Sequence, residues 1–403
     1  MSHVEVINFG CRLNIAEGEA IRAAAGETED LIVINSCAVT NEAERQVRQT
    51  IRRTARANPG VRIVVTGCAA DINPDAFAAM PEVSALIPNR AKGHAAAYQP
   101  LWSGTWPSEF KPALSGPDHA RAFIEVQNGC DHRCTFCIIP FGRGDSRSAA
   151  AGAVIETVRR AVERGHREIV LTGVDLTSYG PDLPGSPSLG QLVERVLKHV
   201  PQVERLRLSS LDSVEIDDQL FDLLTSEPRM MPHVHLSLQA GDNMILKRMK
   251  RRHSREQAID LVTRIKARRP EIAVGADIIA GFPTETDAMF ANSLALIDDC
   301  DIVMGHIFPF SPRAGTPAAR MPQLGRDVIR ERAARLRERA YQRKAIWLNA
   351  MVGTDLPVLV EHSGNGHAPN FAPVRLTTKY VPGSIVTVRI TGSDGAILLA
   401  DAA

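Results

Sequence analysis

Polar and apolar positions alternate in two patterns along most of the chain. Short apolar runs near the start predict buried strands at Val4–Phe9, Leu31–Asn35 and Arg62–Thr66. Between the second and third runs, Glu42–Ala57 places Val47 and Ile51 four residues apart, which predicts an amphipathic helix. Strands that alternate with helices indicate a small parallel α/β domain over residues 1–90.

The alternation resumes after a proline-rich segment. Residues 91–119 contain four prolines and are predicted to be an interdomain linker. Between residues 120 and 349, strands are predicted at Ala122–Gln127, Glu168–Thr172, Arg205–Ser209, His233–Ser237, Ile272–Ile279 and Asp301–Phe308. Helices are predicted between them, for example at Ala150–Glu163, Leu189–Val200 and Ser254–Arg268. This pattern predicts a partial or full parallel barrel, whose functional residues lie at the carboxyl ends of the strands.

The last region, residues 350–403, has a different pattern. Four short strands separated by Gly, Asn and Asp are predicted at Leu356–Glu361, Ala372–Leu376, Ser384–Ile390 and Gly395–Leu399. They predict a small all-β barrel. The fold class is therefore α/β with three domains: a small parallel α/β domain, a TIM-type barrel that is partial or full, and a β-barrel.

Composition agrees with a globular protein. Of 403 residues, 44% are hydrophobic and 23% are charged, and no apolar run approaches the ~18 residues of a membrane helix. The first residues lack a basic segment followed by an apolar one, so no signal peptide is expected. These features predict a cytoplasmic protein with no membrane partner. Its seven cysteines are then expected to be reduced thiols or metal ligands.

Positive charge is concentrated in two stretches, although the net charge is only +1. Residues 246–269 and 320–344 are rich in Lys and Arg, and such clusters are typical of contact with a phosphate backbone. The alternative is a solvated helix face. The last domain is not basic, because Arg375, Lys379 and Arg389 are outnumbered there by acidic residues. Phosphate contacts are therefore expected mainly from the two basic stretches, with Arg251 and Arg252 among them.

Three cysteines fall within eight residues, in the run Cys130-x3-Cys134-x2-Cys137. Three thiolates can hold three irons of a cubane cluster and leave the fourth iron open to bind a small molecule. The alternative is zinc, which usually takes four ligands. Only His132 could be the fourth, and it lies inside the tight loop.

Three further cysteines each follow a predicted strand of the first domain. They are Cys11, Cys37 and Cys68. Because parallel strands end at one edge of the sheet, the three thiols can converge on a second metal centre. The alternative is three unrelated buried thiols, as expected for Cys300.

These residues resemble the radical S-adenosylmethionine methylthiotransferases. The resemblance rests on the Cys130–Cys137 motif, on Gly142-Arg143-Gly144 and Ser146-Arg147-Ser148 after it, and on the first cysteine trio. It extends over nearly the whole chain and implies an auxiliary-cluster domain, a radical SAM core and a C-terminal TRAM domain, which is an RNA-binding barrel.

The resemblance implies two 4Fe–4S clusters and two molecules of S-adenosylmethionine per turnover. Cys130, Cys134 and Cys137 would hold the cluster that binds S-adenosylmethionine and generates a 5′-deoxyadenosyl radical. Cys11, Cys37 and Cys68 would hold the cluster that carries the inserted sulfur, which a second S-adenosylmethionine methylates. Strand-end residues expected to cradle the cofactor are Gly173, Asp175, Ser209, Gln239 and Asp277, with Phe136 against the adenine.

The family modifies isopentenyl-adenosine in tRNA, threonylcarbamoyl-adenosine in tRNA, or an aspartate of a ribosomal protein. Gly10-Cys11-Arg12-Leu13-Asn14 and Cys37-Ala38-Val39-Thr40 resemble the threonylcarbamoyl branch. Arg12 is expected to meet the threonyl carboxylate. The implied reaction is methylthiolation of carbon 2 of that nucleoside at position 37, with the tRNA anticodon stem-loop, an electron donor and a sulfur source as partners. Alternatives are the other two substrates, or a metal-bearing RNA-binding protein without catalysis.

Overall fold

The structure is a computed structural model that describes residues 4–10, 12–26, 30–99, 104, 110–116, 118–362 and 364–402. Cys11 lies outside the described residues, as does part of the predicted linker. The fold class is confirmed: a parallel α/β unit, an open parallel barrel and a small closed β-barrel follow one another along the chain.

The first unit contains a four-stranded parallel sheet in the order β1-β2-β3-β4. Its strands are β1 (Glu5–Asn8), β2 (Leu31–Ser36), β3 (Arg62–Gly67) and β4 (Ala85–Leu86). Its helices are α1 (Arg12–Ala25), α2 (Asn41–Ala57), α3 (Cys68–Ile72) and α4 (Pro74–Ala78). The side chain of Thr40 caps α2 by accepting from the backbone N–H of Ala43. The three predicted strands and the helix are confirmed, whereas β4 is too short for its pattern to show.

The middle unit is an incomplete barrel. Its strands are β5 (Ala122–Glu125), β6 (Gln127–Asn128), β7 (Arg147–Ser148), β8 (Glu168–Thr172), β9 (Arg205–Leu208), β10 (Ser210–Leu211), β11 (His233–Gln239), β12 (Ala273–Ala280) and β13 (Ile302–Pro309). Its helices are α5 (Ile139–Arg143), α6 (Ala151–Glu163), α7 (Leu189–His199), α8 (Asp218–Ser226), α9 (Asn243–Met249), α10 (Arg255–Arg268), α11 (Asp287–Asp299) and α12 (Arg326–Asn349).

The barrel wall consists of parallel strands in the order β5-β8-β9 and β10-β11-β12-β13, with only Ser209 between β9 and β10. Within the described residues no pairing joins β13 to β5, so the barrel is open on that side. The six predicted strands are confirmed. The antiparallel pair β6–β7 was not predicted, because two-residue strands leave no periodic signal.

The last unit is a closed five-stranded barrel in the order β14-β15-β16-β18-β17. Its strands are β14 (Asp355–Val360), β15 (Asn365–His367), β16 (Pro373–Leu376), β17 (Ile385–Ser393) and β18 (Leu398–Ala402). Buried aliphatic side chains, including Val358, Val374 and Val388, fill it. The prediction of an all-β barrel is confirmed, although β15 has no apolar pattern and was missed.

Arginines around one carboxylate join the two barrels. Glu168, at the start of β8, is fully buried and accepts hydrogen bonds from Arg121 and Arg207. Burial alone would raise the pKa of Glu168, but the two guanidinium groups lower it to about 2. Arg207 also donates to the backbone oxygen of Ala368 at 3.2 Å, and Arg121 pairs with Glu361. The small barrel is therefore anchored to the strand starts of the larger one.

Many cations of the two basic stretches are bound by the protein itself, contrary to the expectation of phosphate contacts. The Arg251 side chain is only 8% exposed and donates to Asp212 at 2.8 Å. Arg332 is buried and bonded to Glu285, and Arg343 is paired with Asp301. The sequence could not show these pairings, because each carboxylate lies more than 35 residues away along the chain.

Among the described residues, no helix is long and apolar enough to cross a membrane.

Candidate active site

Cys130, Cys134 and Cys137 lie in the loop between β6 and α5, and all three are partly exposed. Gly129 precedes them with φ +75°, and a Cβ there would lie 2.0 Å from the backbone oxygen of Asp145, so only glycine fits. The backbone N–H of Cys137 donates to the carbonyl of Cys134 at 3.1 Å, which closes a tight turn. The turn thereby gathers the three thiols in one short loop.

The imidazole of His132 contacts two carboxylates. Its Nε2 lies 2.9 Å from the carboxylate of Asp175 and 3.7 Å from that of Glu215. Hydrogen bonds to these two carboxylates raise the pKa of His132 to about 10. Since Nε2 already contacts these two carboxylates, a zinc ion held by the three thiols would have to compete for it, so this geometry does not favour the zinc alternative.

Cys37 and Cys68 lie side by side at the carboxyl edge of the first sheet. They follow Ser36 of β2 and Gly67 of β3, which are paired in register. Both cysteines are buried. Gly10 has φ +103°, and a Cβ there would lie 3.0 Å from the Sγ of Cys37. The backbone leading to Cys11 therefore passes directly over Cys37, although Cys11 itself is outside the described residues.

Helix α5, which follows the Cys130–Cys137 motif, packs directly against Cys68. A Cβ on Gly142 of α5 would lie 3.0 Å from the Cα of Cys68. Asn89 bridges the two segments, donating to the carbonyl of Gly142 at 2.7 Å and to the Sγ of Cys68 at 3.7 Å. Ile138, next to Cys137, belongs to the same apolar core as Cys68. The fold thus brings the two cysteine groups, far apart in sequence, to one interface.

The surroundings of Cys130 and Cys137 favour the protonated form of both thiols. Burial, together with the neighbouring Cys134 and Cys68, raises the pKa of Cys137 to about 12. Burial and the Asp175 carboxylate also raise the pKa of Cys130, whose Sγ lies 3.3 Å from Asp175 Oδ2. Metal binding would release these protons. A thiol-only donor set fits an iron–sulfur cluster.

A cavity of about 210 Å³ lies beside the two cysteine groups. The expected cradle residues Phe136, Gln239 and Asp277 line it together. Val39 and Thr40, which follow Cys37, and Phe308–Ser311, at and after the end of β13, also line it. The cavity therefore lies between the loop that follows Cys37 and the carboxyl ends of the barrel strands.

Buried polar atoms without partners cluster where β9 and β10 end. Within the described part of the chain, Ser209 Oγ, Ser213 Oγ and Asp212 Oδ1 have no hydrogen-bond partner. Arg251, which holds the other oxygen of Asp212, also reaches the Sγ of Cys134 at 3.7 Å. Buried polar groups are normally satisfied, so these atoms fit the ribose, amino and carboxylate groups of S-adenosylmethionine.

Two other cradle residues have neighbours within the protein. A Cβ on Gly173 would lie 2.8 Å from Gln127 Oε1 and 3.1 Å from the Gln127 backbone oxygen, so a side chain there would displace the buried Gln127 side chain. The backbone N–H of Asp175 donates to the same oxygen at 2.9 Å. The Asp175 carboxylate accepts from Cys130 and contacts His132. Asp175 thereby holds the motif loop, and Gly173 brings the strand end against it.

Several site residues had no signal in the sequence. His235 and His306 were not predicted, and they flank the predicted Asp277, with His235 Nε2 at 3.0 Å and His306 Nδ1 at 3.3 Å from its carboxylate. These imidazoles lower the pKa of Asp277 despite its burial. Arg251 was assigned to phosphate binding. Arg313, in a segment whose role the sequence left open, is buried and bonded to Glu44 at 2.9 Å, which fastens the end of β13 to α2.

Comparisons with known proteins agree with this geometry. The profile of the Radical SAM superfamily matches residues 124–297, and that of the Uncharacterized protein family UPF0004 matches residues 3–88. The chain is 45% identical over 398 residues to the threonylcarbamoyladenosine tRNA methylthiotransferase MtaB of Rickettsia prowazekii, covering 96% of this chain and 94% of that one. The chain belongs to the radical SAM methylthiotransferase family.

Other similarities are more distant. The MtaB protein of Bacillus subtilis is 35% identical, over 83% of this chain and 80% of its own. A tRNA-2-methylthio-N(6)-dimethylallyladenosine synthase of Cereibacter sphaeroides is 32% identical, over 96% of this chain and 95% of its own. The solved radical S-adenosylmethionine methyltransferase TsrM of Kitasatospora setae has a TM-score of 0.52 at 13% identity, covering 75% of this chain and 66% of that one, which shows a shared fold.

The family fixes the class of chemistry. This radical SAM methylthiotransferase is an enzyme that modifies tRNA, and its cofactors are two iron–sulfur clusters and S-adenosylmethionine.

Proposed function

We propose that this enzyme adds a methylthio group to carbon 2 of threonylcarbamoyl-adenosine at position 37 of tRNA, in the anticodon stem-loop. The observation that carries the proposal is the packing of Gly142, in the helix after Cys137, against Cys68. Radical formation and sulfur insertion need separate iron centres close to one substrate atom, and this contact holds the two thiol groups together. The similarity to proteins named for this nucleoside supports the choice of substrate.

We assign Cys130, Cys134 and Cys137 to one 4Fe–4S cluster and Cys11, Cys37 and Cys68 to the other. Bound at the cluster of Cys130, Cys134 and Cys137, S-adenosylmethionine would supply a 5′-deoxyadenosyl radical. A second molecule of S-adenosylmethionine would supply the methyl group. Ser209, Asp212 and Arg251 would orient the cofactor from the strand ends. Phe136 would cover its adenine and exclude water.

Phe136, Gln239 and Asp277, which are proposed to contact the cofactor, also line the cavity proposed for the target base, so the base would lie beside the cofactor. The largely apolar walls of this cavity, from Val39 and Phe308 to Phe310, would shield a radical from side reactions. Arg12 is proposed to act on the threonyl side of the substrate. Its guanidinium lies 5.1 Å from the centre of the Phe371 ring, at the junction with the small barrel.

The proposed limits are residues 1–90 for the auxiliary-cluster domain, 91–119 for the linker, 120–349 for the radical SAM core and 350–403 for the TRAM domain. The proposed location is the cytoplasm, where tRNA is modified. An electron donor and a sulfur source complete the proposed set of partners.

Nucleoside mass spectrometry of tRNA from cells with and without this chain tests the proposal. Methylthio-threonylcarbamoyl-adenosine should disappear from the cells that lack the chain, and its unmodified precursor should accumulate. Loss of methylthio-isopentenyl-adenosine, or of a methylthio group on a ribosomal protein, would assign the enzyme to another branch.

A further inference from the structure

A second open cavity, of about 520 Å³, lies where β13, α12 and the small barrel meet. Residues 303–306 of β13 form one wall, α12 forms another, and Phe371 with His367 forms the third. The rings of His367 and Phe371 are stacked at 4.6 Å between centres. None of the described residues that line this cavity is acidic.

One face of α12 points two cations and a phenol into the cavity. Arg337, Tyr341 and Lys344 are four and three residues apart, which places them on one side of a helix, and all three line the cavity. Other arginines of α12 are paired with carboxylates: Arg332 with Glu285, Arg339 with Asp298 and Arg343 with Asp301. Arg337 and Lys344 have no ion-pair partner within the described ranges, and Arg337 donates only to the carbonyl of Ile307, at 3.1 Å.

Lys344 is partly buried, and no carboxylate among the described residues lies within ion-pair distance of it. Burial lowers the pKa of Lys344, and the charge of Asp394 acts in the opposite direction. Holding an ammonium group in such a place costs free energy unless an anion accompanies it. The cavity is therefore suited to a ligand that carries a negative charge.

His306 connects this cavity with the candidate active site. It lines the second cavity, and its Nδ1 lies 3.3 Å from Asp277, which lines the first. Phe308, two residues further along β13, also lines the first cavity. Two strand residues span about 7 Å. A substituent several bonds from the reacting carbon of a base would therefore extend from one cavity into the other.

We propose that Arg337, Tyr341 and Lys344 form the subsite for the carboxylate of the threonylcarbamoyl arm, an inference that rests on the proposed function. Two cations and a hydroxyl suit one carboxylate. The apolar wall of Val303, Ala340 and Phe371 suits the methyl group of threonine. Arg12 lies against the same Phe371 ring, so its proposed role concerns the same end of the substrate.

The test measures RNA binding by the anaerobically reconstituted enzyme with fluorescence anisotropy. Two anticodon stem-loop RNAs are compared, one with threonylcarbamoyl-adenosine and one with its carboxyl methyl ester. The wild-type enzyme should bind the acid about tenfold more tightly than the ester, as one charge-assisted contact implies. The double variant Arg337→Gln, Lys344→Gln should lose that preference and bind the ester as the wild type does.

Arg335→Gln is the matched control, because Arg335 lies on the same helix, is half exposed, pairs with Glu331 and does not line the cavity. It should keep the full preference for the acid. The subsite is refuted if the double variant keeps the preference, or if the folded double variant loses affinity for both RNAs equally, as contact with backbone phosphates would cause. Methylthiolation of the acid RNA by wild-type enzyme is assayed in parallel; absence of that product would refute the proposed function itself.

Discussion

The proposed S-adenosylmethionine site at the end of β9 rests on individual buried polar atoms. Ser209 is buried, and its hydroxyl has no hydrogen-bond partner within the described residues. One oxygen of Asp212 is bound by Arg251, and the other has no hydrogen-bond partner among the described residues, although His253 Nδ1 lies 3.9 Å from it. A buried polar group that lacks a partner destabilises the fold. Such groups are retained when a ligand satisfies them.

Ser209→Ala should therefore act in opposite directions on stability and on binding. Removing the unsatisfied hydroxyl should leave the free protein as stable as before, or more stable by about 1 kcal/mol. It should weaken S-adenosylmethionine binding about tenfold. Thermal unfolding and equilibrium dialysis measure the two effects.

Ser293→Ala is the control for this change. Its hydroxyl is buried and accepts from the backbone N–H of Gly241 at 3.0 Å. Its loss should destabilise the protein without altering cofactor affinity. Unchanged affinity in Ser209→Ala would remove Ser209 from the cofactor site.

Elements that meet at a single glycine hold the two cysteine groups together. In α5, a Cβ placed on Gly142 would lie 3.0 Å from both the Cα and the carbonyl oxygen of Cys68, so these atoms would have to shift by a few tenths of an ångström to accommodate it. Because these are backbone atoms, they cannot move aside as a flexible side chain could. The distance between α5 and the segment that carries Cys68 therefore depends on the absence of a side chain at Gly142.

Gly142→Ala should force the loops apart and cost about 1–3 kcal/mol of folding free energy, as overpacking does. Formation of the methylthio nucleoside should fall with it. The matched change is Gly152→Ala in α6, where a Cβ has nothing within 4 Å. That variant should be as stable as the wild type or more so, since alanine favours helices. Equal behaviour of the two variants in chemical denaturation would contradict the packing argument.

Local pattern was enough to locate most elements, because the alternation of apolar runs follows directly from burial. It located β8 at Glu168–Thr172 and showed that both cysteine groups follow strands. It failed where contacts are distant in sequence. Arg251 reaches Cys134 across 117 residues, and Arg12 meets Phe371 of the last barrel. No periodic pattern records such pairings, so Arg251 was assigned to phosphate binding.

At the scale of the whole molecule, a buried charge cluster joins the first unit to the barrel. Glu17 of α1 is bound by Lys92 at 2.6 Å and by Arg143 at 2.7 Å. Although burial opposes ionisation, these cations lower the pKa of Glu17 to about 2. Glu125, at the end of β5, is also buried there, and burial together with Glu17 raises its pKa to about 8. The junction thus holds one ionised and one protonated carboxyl.

The protonated carboxyl predicts a pH dependence of stability. Folded Glu125 keeps its proton up to about pH 8, whereas the unfolded chain loses it near 4.5. Since the folded state binds more protons in that window, stability should fall as pH rises through it. Glu125→Gln should remove this contribution. Melting temperatures measured from pH 6 to 9 should fall less steeply in the variant, and parallel curves would contradict the assignment.

The central claim is a division of labour between two cysteine groups held at one interface. Reconstituted Cys68→Ala and Cys134→Ala enzymes, incubated with reductant, S-adenosylmethionine and threonylcarbamoyl-adenosine tRNA, test it most directly by mass spectrometry of both products. Cys68→Ala should still form 5′-deoxyadenosine but no methylthio nucleoside, with iron falling from about eight to about four per chain. Cys134→Ala should form neither product. Methylthio nucleoside from Cys68→Ala, or loss of 5′-deoxyadenosine in it while the other cluster's iron remains, would contradict the claim.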